Sequence, residues 1–107
     1  MTRRYLLVKI VSETRISFQL LNEVITQSVK KCFGEIGYVQ VNPQLIHFDA
    51  EKSAAIVACE RDRVAELQTA LALTKDKSGI PLALVTLHVS GTIKSLRQRS
   101  TKNSSRA

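Results

Sequence analysis

Acidic residues are scarce in this 107-residue chain, and past Asp76 there are none. Nine Asp and Glu stand against sixteen Lys and Arg, a formal net charge of +7. That balance argues for an anionic partner. Long apolar runs are missing too: none approaches the ~18 residues a membrane-spanning helix needs, so no membrane association is expected. The opening MTRRYLLVKI places basic residues before a short apolar run. Lys9 breaks that run and no small-residue cleavage site follows, so it reads as a strand and not as a signal peptide. Cysteine is limited to Cys32 and Cys59, far apart and in apolar stretches. Without a secretory signal, two such residues indicate a reduced intracellular protein in which both are small core hydrophobes.

Motifs that carry chemistry are equally sparse. There is no CxxC, no HxxxH, no Walker motif and no GxGxxG, and His47 and His88 lie far apart in separate apolar runs. None of this has zinc-ligand spacing. The carboxylates form no acid–base or two-metal set. Asp49 and Glu51 flank a turn, while Glu60, Asp62 and Glu66 crowd a helix start, where solvation and the helix dipole account for them. An autonomous enzyme is disfavoured.

What is present is regular. Hydrophobic residues make up 44% of the chain and charged residues 23%, a globular composition. Residues 4–11, RYLLVKIV, read as a strand. Phe18, Leu21, Ile25, Val29 and Cys32 then recur at helical spacing. Ser17 is the expected cap, Lys30–Lys31 the last turn and Gly34 the left-handed stop, giving a helix over 17–33. Residues 38–49 read as a second strand, with Pro43 on a sheet edge or at a bulge. Residues 49–53 are a polar turn and 54–59 a third strand. Val64, Leu67, Leu71 and Leu73 mark a helix over 62–75. Residues 78–81 are a loop and 81–89 a fourth strand. Ser90-Gly91-Thr92 breaks that strand, and Ile93 and Leu96 allow a short helix capped by Thr92. One domain spans 1–99, and 100–107 is a small, polar, basic tail expected to be disordered.

Strand, helix, strand, strand, helix, strand folds with right-handed crossovers into an α+β, ferredoxin-like split sandwich, βαββαβ, with strands one and three central. Strand one carries Leu6, Val8 and Ile10 on one face and Tyr5, Leu7, Lys9 and Val11 on the other. Strand four would place Ala83, Val85, Leu87 and Val89 opposite Leu82, Leu84, Thr86 and His88. Both sheet faces are thus apolar, and two helices cover only one. The C-terminal helix, a loop or another protein must cover the second.

Charge placement is the stronger functional signal. Arg3, Arg4 and Lys9 precede the first acid, and Lys77, Lys94, Arg97, Arg99, Lys102 and Arg106 follow the last. Cations gathered from both termini favour nucleic acid through counterion release. An RNA-recognition motif would need aromatics on both central strands, and only Tyr5 is present. Contacts to phosphates of folded RNA fit better than base stacking. In Ser90-Gly91-Thr92-Ile93-Lys94, Gly91 permits an unusual backbone angle, and the following helix start with Lys94 could hold a phosphate. Lys94 and Arg97 are three apart and face away from Ile93 and Leu96, with Arg99 extending the same basic region. A small-molecule regulatory module of the ACT type shares the βαββαβ order and is the alternative.

One ordered set of segments stands out: Arg4-Tyr5-Leu6, Phe33-Gly34-Glu35, Leu45-Ile46-His47-Phe48-Asp49, Ile56-Val57 with Arg61, Ala70-Leu71, and Leu87 to Lys94, LHVSGTIK. In these the chain resembles the small ribonuclease P/MRP protein subunit of archaea and eukaryotes, the Pop-five type, related to the fourteen-kilodalton subunit. The resemblance extends over residues 4–97. The family commonly has Arg after the Ile-Val pair, where this chain has Ala58; Arg61 remains as a basic candidate nearby. The resemblance implies a role in maturation of the transfer RNA 5′ end. It implies a catalytic RNA subunit with bound magnesium, no cofactor on the protein, and a protein that is not catalytic by itself. The implied partners are ribonuclease P RNA, precursor tRNA and the thirty-kilodalton subunit, and pairs can join through the small subunits. The location would be cytoplasmic in an archaeon and nuclear or nucleolar in a eukaryote. The expected RNA contacts are Arg3, Arg4, Arg61, Ser90, Gly91, Thr92, Lys94, Arg97 and Arg99.

Overall fold

Alternating apolar residues build the sheet. In the computed structural model, which describes residues 3–74, 76–77 and 80–94, strand β1 (Arg3–Ser12) leads into helix α1 (Phe18–Val41). Strands β2 (Gln44–Asp49) and β3 (Ala54–Glu60) follow as a hairpin. A 3₁₀ turn, Arg61–Arg63, precedes helix α2 (Val64–Ala72), and the two-residue β4 (Asp76–Lys77) precedes β5 (Ile80–Ser90). The strand order is β2-β3-β1-β5-β4, and the pairings are antiparallel. This is the expected ferredoxin-like α+β sandwich with β1 and β3 inside. Asp76–Lys77, between the expected helix and the loop expected at 78–81, pairs back onto Ile80 and Pro81 as a fifth strand, so those two residues belong to β5.

Leu6, Val8 and Ile10 of β1, with Ala55, Val57 and Cys59 of β3, form the floor of the main core. Leu21, Val24, Ile25 and Val29 of α1 and Leu67, Ala70 and Leu71 of α2 cover it. The Ser28 hydroxyl ties the helices together by donating to the Ala70 carbonyl at 2.6 Å. Full burial of each aliphatic side chain contributes about 1.5–3 kcal/mol. Phe18, expected on this buried face, lies in the first turn and stays exposed. The N-cap is as expected: Ser17 Oγ accepts from the Leu20 amide at 3.1 Å.

Gly34 does interrupt the helix, but with φ 75° and ψ −178°, a conformation essentially restricted to glycine. The chain then turns helical again, so residues 38–41 are helix and not strand. The reason is tertiary. Val41 is buried and Tyr38 packs on the core, while Lys30 sits 4.9 Å over the Tyr38 ring and 3.8 Å from Glu35, bridging the break. A Cβ on Gly37 would lie 2.4 Å from Phe33 Cβ, so the second segment depends on close approach there. The helix ends at Asn42 in the left-handed region (φ 50°, ψ 57°), its amide donating to the Tyr38 carbonyl at 2.8 Å. β2 therefore starts after Pro43, on the sheet edge. Asp49 Oδ1 closes the hairpin turn by accepting from the amides of Glu51 (3.1 Å) and Lys52 (3.2 Å).

The α2 helix ends at Ala72, short of residue 75. The Thr74 hydroxyl turns back to the Ala70 carbonyl at 3.1 Å and competes with helical continuation. β5 carries a bulge: Leu7 faces His88 and Val8 faces Thr86, so Leu87 is an extra residue. Beyond it the phase inverts. Val89 turns to the main core and His88 to the open face, the reverse of the expected alternation. A second bulge at Ile46 lies in β2. On the open face Leu7 and Ile56 are buried with Tyr5, Ala54 and Ile93 against them. Ile93 and Lys94 are helical, so the C-terminal segment starts on that face. Leu96, the remainder of the segment expected to be a short helix, and the tail at 100–107 lie outside the described residues.

Two expectations follow. Gly34→Ala should lower stability by about 1–3 kcal/mol in urea denaturation; an unchanged midpoint would show that a side chain tolerates this conformation. Burial pushes the Cys59 thiol up from 9.0 to about 11, against the opposing pull of Arg3 and with smaller upward contributions from Glu60 and Glu66. Below pH 9 the thiol is protonated whether the chain is folded or unfolded. Between pH 9 and 11 the unfolded chain gives up its proton first, so stability falls by as much as ~1.4 kcal/mol per pH unit. The stability gap between the native protein and Cys59→Ala should narrow over that window. Parallel curves would contradict it.

Candidate nucleic-acid interface

β1 begins at the end of the sheet where β3 and β5 finish, because both neighbours run antiparallel to it. Pairing places Arg3 across from Glu60, Arg4 across from Cys59, and Tyr5 across from Ser90. The same end receives Asn42, Arg61 and Arg63, and Gly91, Thr92 and Lys94 after β5. The sequence-predicted residues Arg3, Arg4, Arg61, Ser90, Gly91, Thr92 and Lys94 are therefore gathered from three separate stretches. Arg97 and Arg99 lie outside the described residues.

These cations are not equivalent. Arg3 Nη1 is 3.1 Å from Glu60 Oε2 and its Nη2 donates to the Asn42 carbonyl at 3.0 Å. Asn42 Nδ2 approaches the same Glu60 oxygen at 3.4 Å. This half-buried group fastens the end of α1 to both central strands, with the Arg3 charge balanced inside it. Arg63 is likewise paired, to Glu66 Oε2 at 3.1 Å. Arg4, Arg61 and Lys94 have no carboxylate partner among the described residues. Arg61 and Lys94 are exposed, and Arg4 Nη1 donates to the Arg3 carbonyl at 3.4 Å. Ser90 Oγ accepts from the Thr92 amide at 3.2 Å and holds the turn that leaves β5.

One sequence expectation is corrected here, that for the Gly91 backbone. Lys9, one of the cations before the first acid, lies apart from this group. It lies six positions along β1, roughly 20 Å away at strand rise, opposite Ala54 and Val85. Gly91 does not use a left-handed backbone angle, since Gly34 is the glycine with positive φ among the described residues. Asn42, Glu60 and Arg63 were missed. An Asn before Pro is a signal for a left-handed helix end, but it was masked by the β-branched pattern around it.

On the open face Tyr5 is the aromatic of the two central strands, and Ile93 packs beside it over Leu7 and Ile56. Aliphatic contact thus occupies the strip where single-strand binders of this topology stack bases. Among the described residues no three His, Cys, Asp or Glu converge as metal ligands.

Comparison with known proteins bears on the family and the fold. The model of the Rpp14/Pop5 family matches residues 4–101. The chain is 38% identical over 96 residues to "Ribonuclease P protein component 2" of Pyrococcus horikoshii, covering 90% of this chain and 80% of that protein. To the protein of the same name from Pyrococcus furiosus it is 32% identical over 97 residues, covering 91% and 81%, and to that of Archaeoglobus fulgidus 30% identical over 97 residues, covering 91% and 86%. Among solved structures, a chain of the cryo-EM structure of yeast ribonuclease MRP superposes with a TM-score of 0.72, covering 99% of this chain and 96% of that one at 13% identity, a likeness of fold.

Proposed function

The chain belongs to the Rpp14/Pop5 family of ribonuclease P protein subunits, and we propose that it binds and supports the catalytic RNA through the basic end of its sheet. In that role it serves removal of the 5′ leader from precursor transfer RNA. The observation that carries this reading is the group Arg4, Arg61 and Lys94, three cations without a carboxylate partner among the described residues, where β1 begins and β3 and β5 end. A phosphate backbone is the fitting anion, because each neutralised phosphate releases counterions. The family match sets the ACT-type alternative aside.

The subunit contributes no cleavage chemistry of its own in this proposal. Two carboxylates at the basic end are already engaged, Glu60 by Arg3 and Asn42 and Glu66 by Arg63. Magnesium belongs to the RNA. A thirty-kilodalton protein subunit and a second small subunit are the proposed protein partners. Exposed Ile36 and Val39 on α1 and Val85 and Leu87 on β5 support protein contact. The archaeal relatives support a cytoplasmic setting.

Replacing Arg4, Arg61 and Lys94 together by Gln should leave urea stability within about 1 kcal/mol, since Arg61 and Lys94 are exposed and half-buried Arg4 has no carboxylate partner among the described residues. Affinity for an in vitro transcribed archaeal ribonuclease P RNA should fall in filter binding. The log–log salt slope should flatten by up to ~0.9 per lost duplex-phosphate contact. Equal affinity and slope would refute the interface. The isolated chain with magnesium should leave precursor tRNA intact, and cleavage should appear only when the RNA subunit is added. Cleavage without RNA, lost on changing one carboxylate, would overturn the non-catalytic role.

A further inference from the structure

The register that pairs Tyr5 with Ser90 continues outward to set Arg4 beside Gly91. The backbone there does not call for glycine. Its φ is not in the left-handed region, and the turn is held by the Ser90 hydroxyl accepting from the Thr92 amide. Space is what the glycine supplies. A Cβ at position 91 would stand 3.3 Å from Arg4 Nη1 and 3.9 Å from Arg4 Cζ, and among the described residues, its chain neighbours aside, Arg4 is what it would meet within 4 Å. The guanidinium lies where a side chain at position 91 would crowd it, and Nη1 donates to the Arg3 carbonyl at 3.4 Å. One N–H of the fork is directed at that carbonyl, which leaves the other donors for an oxyanion.

We infer that Gly91 is a positioning residue for RNA binding: by lacking a side chain it lets the Arg4 guanidinium lie across the turn after β5 and present its remaining donors to an RNA phosphate. This rests on the reading of the basic end as the RNA-binding surface. The group displaced by a side chain at 91 is the far end of a flexible arginine, so the fold gives way at little cost while the charge moves. A methyl group requires a shift of a few tenths of an ångström, and a branched side chain requires more. The effect of substitution therefore falls on phosphate contact and not on folding. Among the described residues Arg4 is what an added Cβ meets, so the proposed effect runs through Arg4.

The test compares the full-length chain with Gly91→Val, Arg4→Gln and the double variant, using in vitro transcribed archaeal ribonuclease P RNA as the probe. Gly91→Val should keep the native urea midpoint. Each single variant should bind the RNA more weakly and lose about 0.9 of log–log salt slope, so that a fourfold rise in salt weakens it roughly threefold less than the native chain. The double variant should be no weaker than Arg4→Gln, and Gly91→Ala should fall between native and Gly91→Val. Native affinity in Gly91→Val, or a further loss in the double variant, overturns the inference. So does a lowered midpoint in Gly91→Val together with a native salt slope in Gly91→Ala. If Arg4→Gln binds as the native chain does, the inference fails. The broader RNA-binding reading is then judged separately on Arg61→Gln and Lys94→Gln, and it falls only if those variants also bind normally.

Discussion

Strand β1 is hydrogen-bonded along both edges and apolar on both faces, and the rest of the molecule is arranged around that fact. Leu6, Val8 and Ile10 fill the helix side, while Leu7 is buried on the other. A strand buried in this way has no freedom to slip, because a shift of one residue would exchange the two faces. Its register against β3 and β5 is therefore a strong constraint. The basic end inherits its geometry from that constraint: Arg3 meets Glu60, Tyr5 meets Ser90, and Arg4 comes beside Gly91.

Electrostatics then sorts cations that look alike in sequence. Half-buried Arg3 is neutralised by Glu60 and anchored to the Asn42 carbonyl, which makes it part of the scaffold. Removing Glu60 would leave a partly desolvated charge alone, a costly arrangement. Arg4, Arg61 and Lys94 stand outside such pairs among the described residues and are suited to an external anion. In the proposed role that anion is an RNA backbone. The open face is closed by aliphatic contact at Ile93 where stacking would need exposed rings. Affinity of this kind depends on salt and carries little base information.

The helix break at Gly34 and the bulge at Leu87 are the places where the fold departs from regular geometry, and each redirects a side chain that matters. Gly34 lets α1 continue far enough to bury Val41 and place Asn42 at the basic end. The Leu87 bulge returns Val89 to the core and turns His88 outward, so that Ser90 lies opposite Tyr5. Without that extra residue the turn bearing Gly91 would leave the sheet in the opposite phase.

Local signals settled the order of elements. Helical spacing located Leu21, Ile25 and Val29, the Ser17 cap marked a start, and alternation on the first strand revealed two apolar faces before any pairing was known. Those features depend on residues close in sequence, so the chain alone determines them. Tertiary structure decided the rest. Residues 38–41 are β-branched and aromatic enough to read as strand, yet burial of Val41 and the Lys30–Tyr38 contact make them helix. The phase of β5 beyond Leu87, the neutralisation of Arg3, the separation of Lys9 from the basic end and the space that Gly91 leaves for Arg4 are all products of pairing between distant strands. Periodicity assigns a residue to a face, but only the partner across the sheet determines whether a charge there is already balanced or still available.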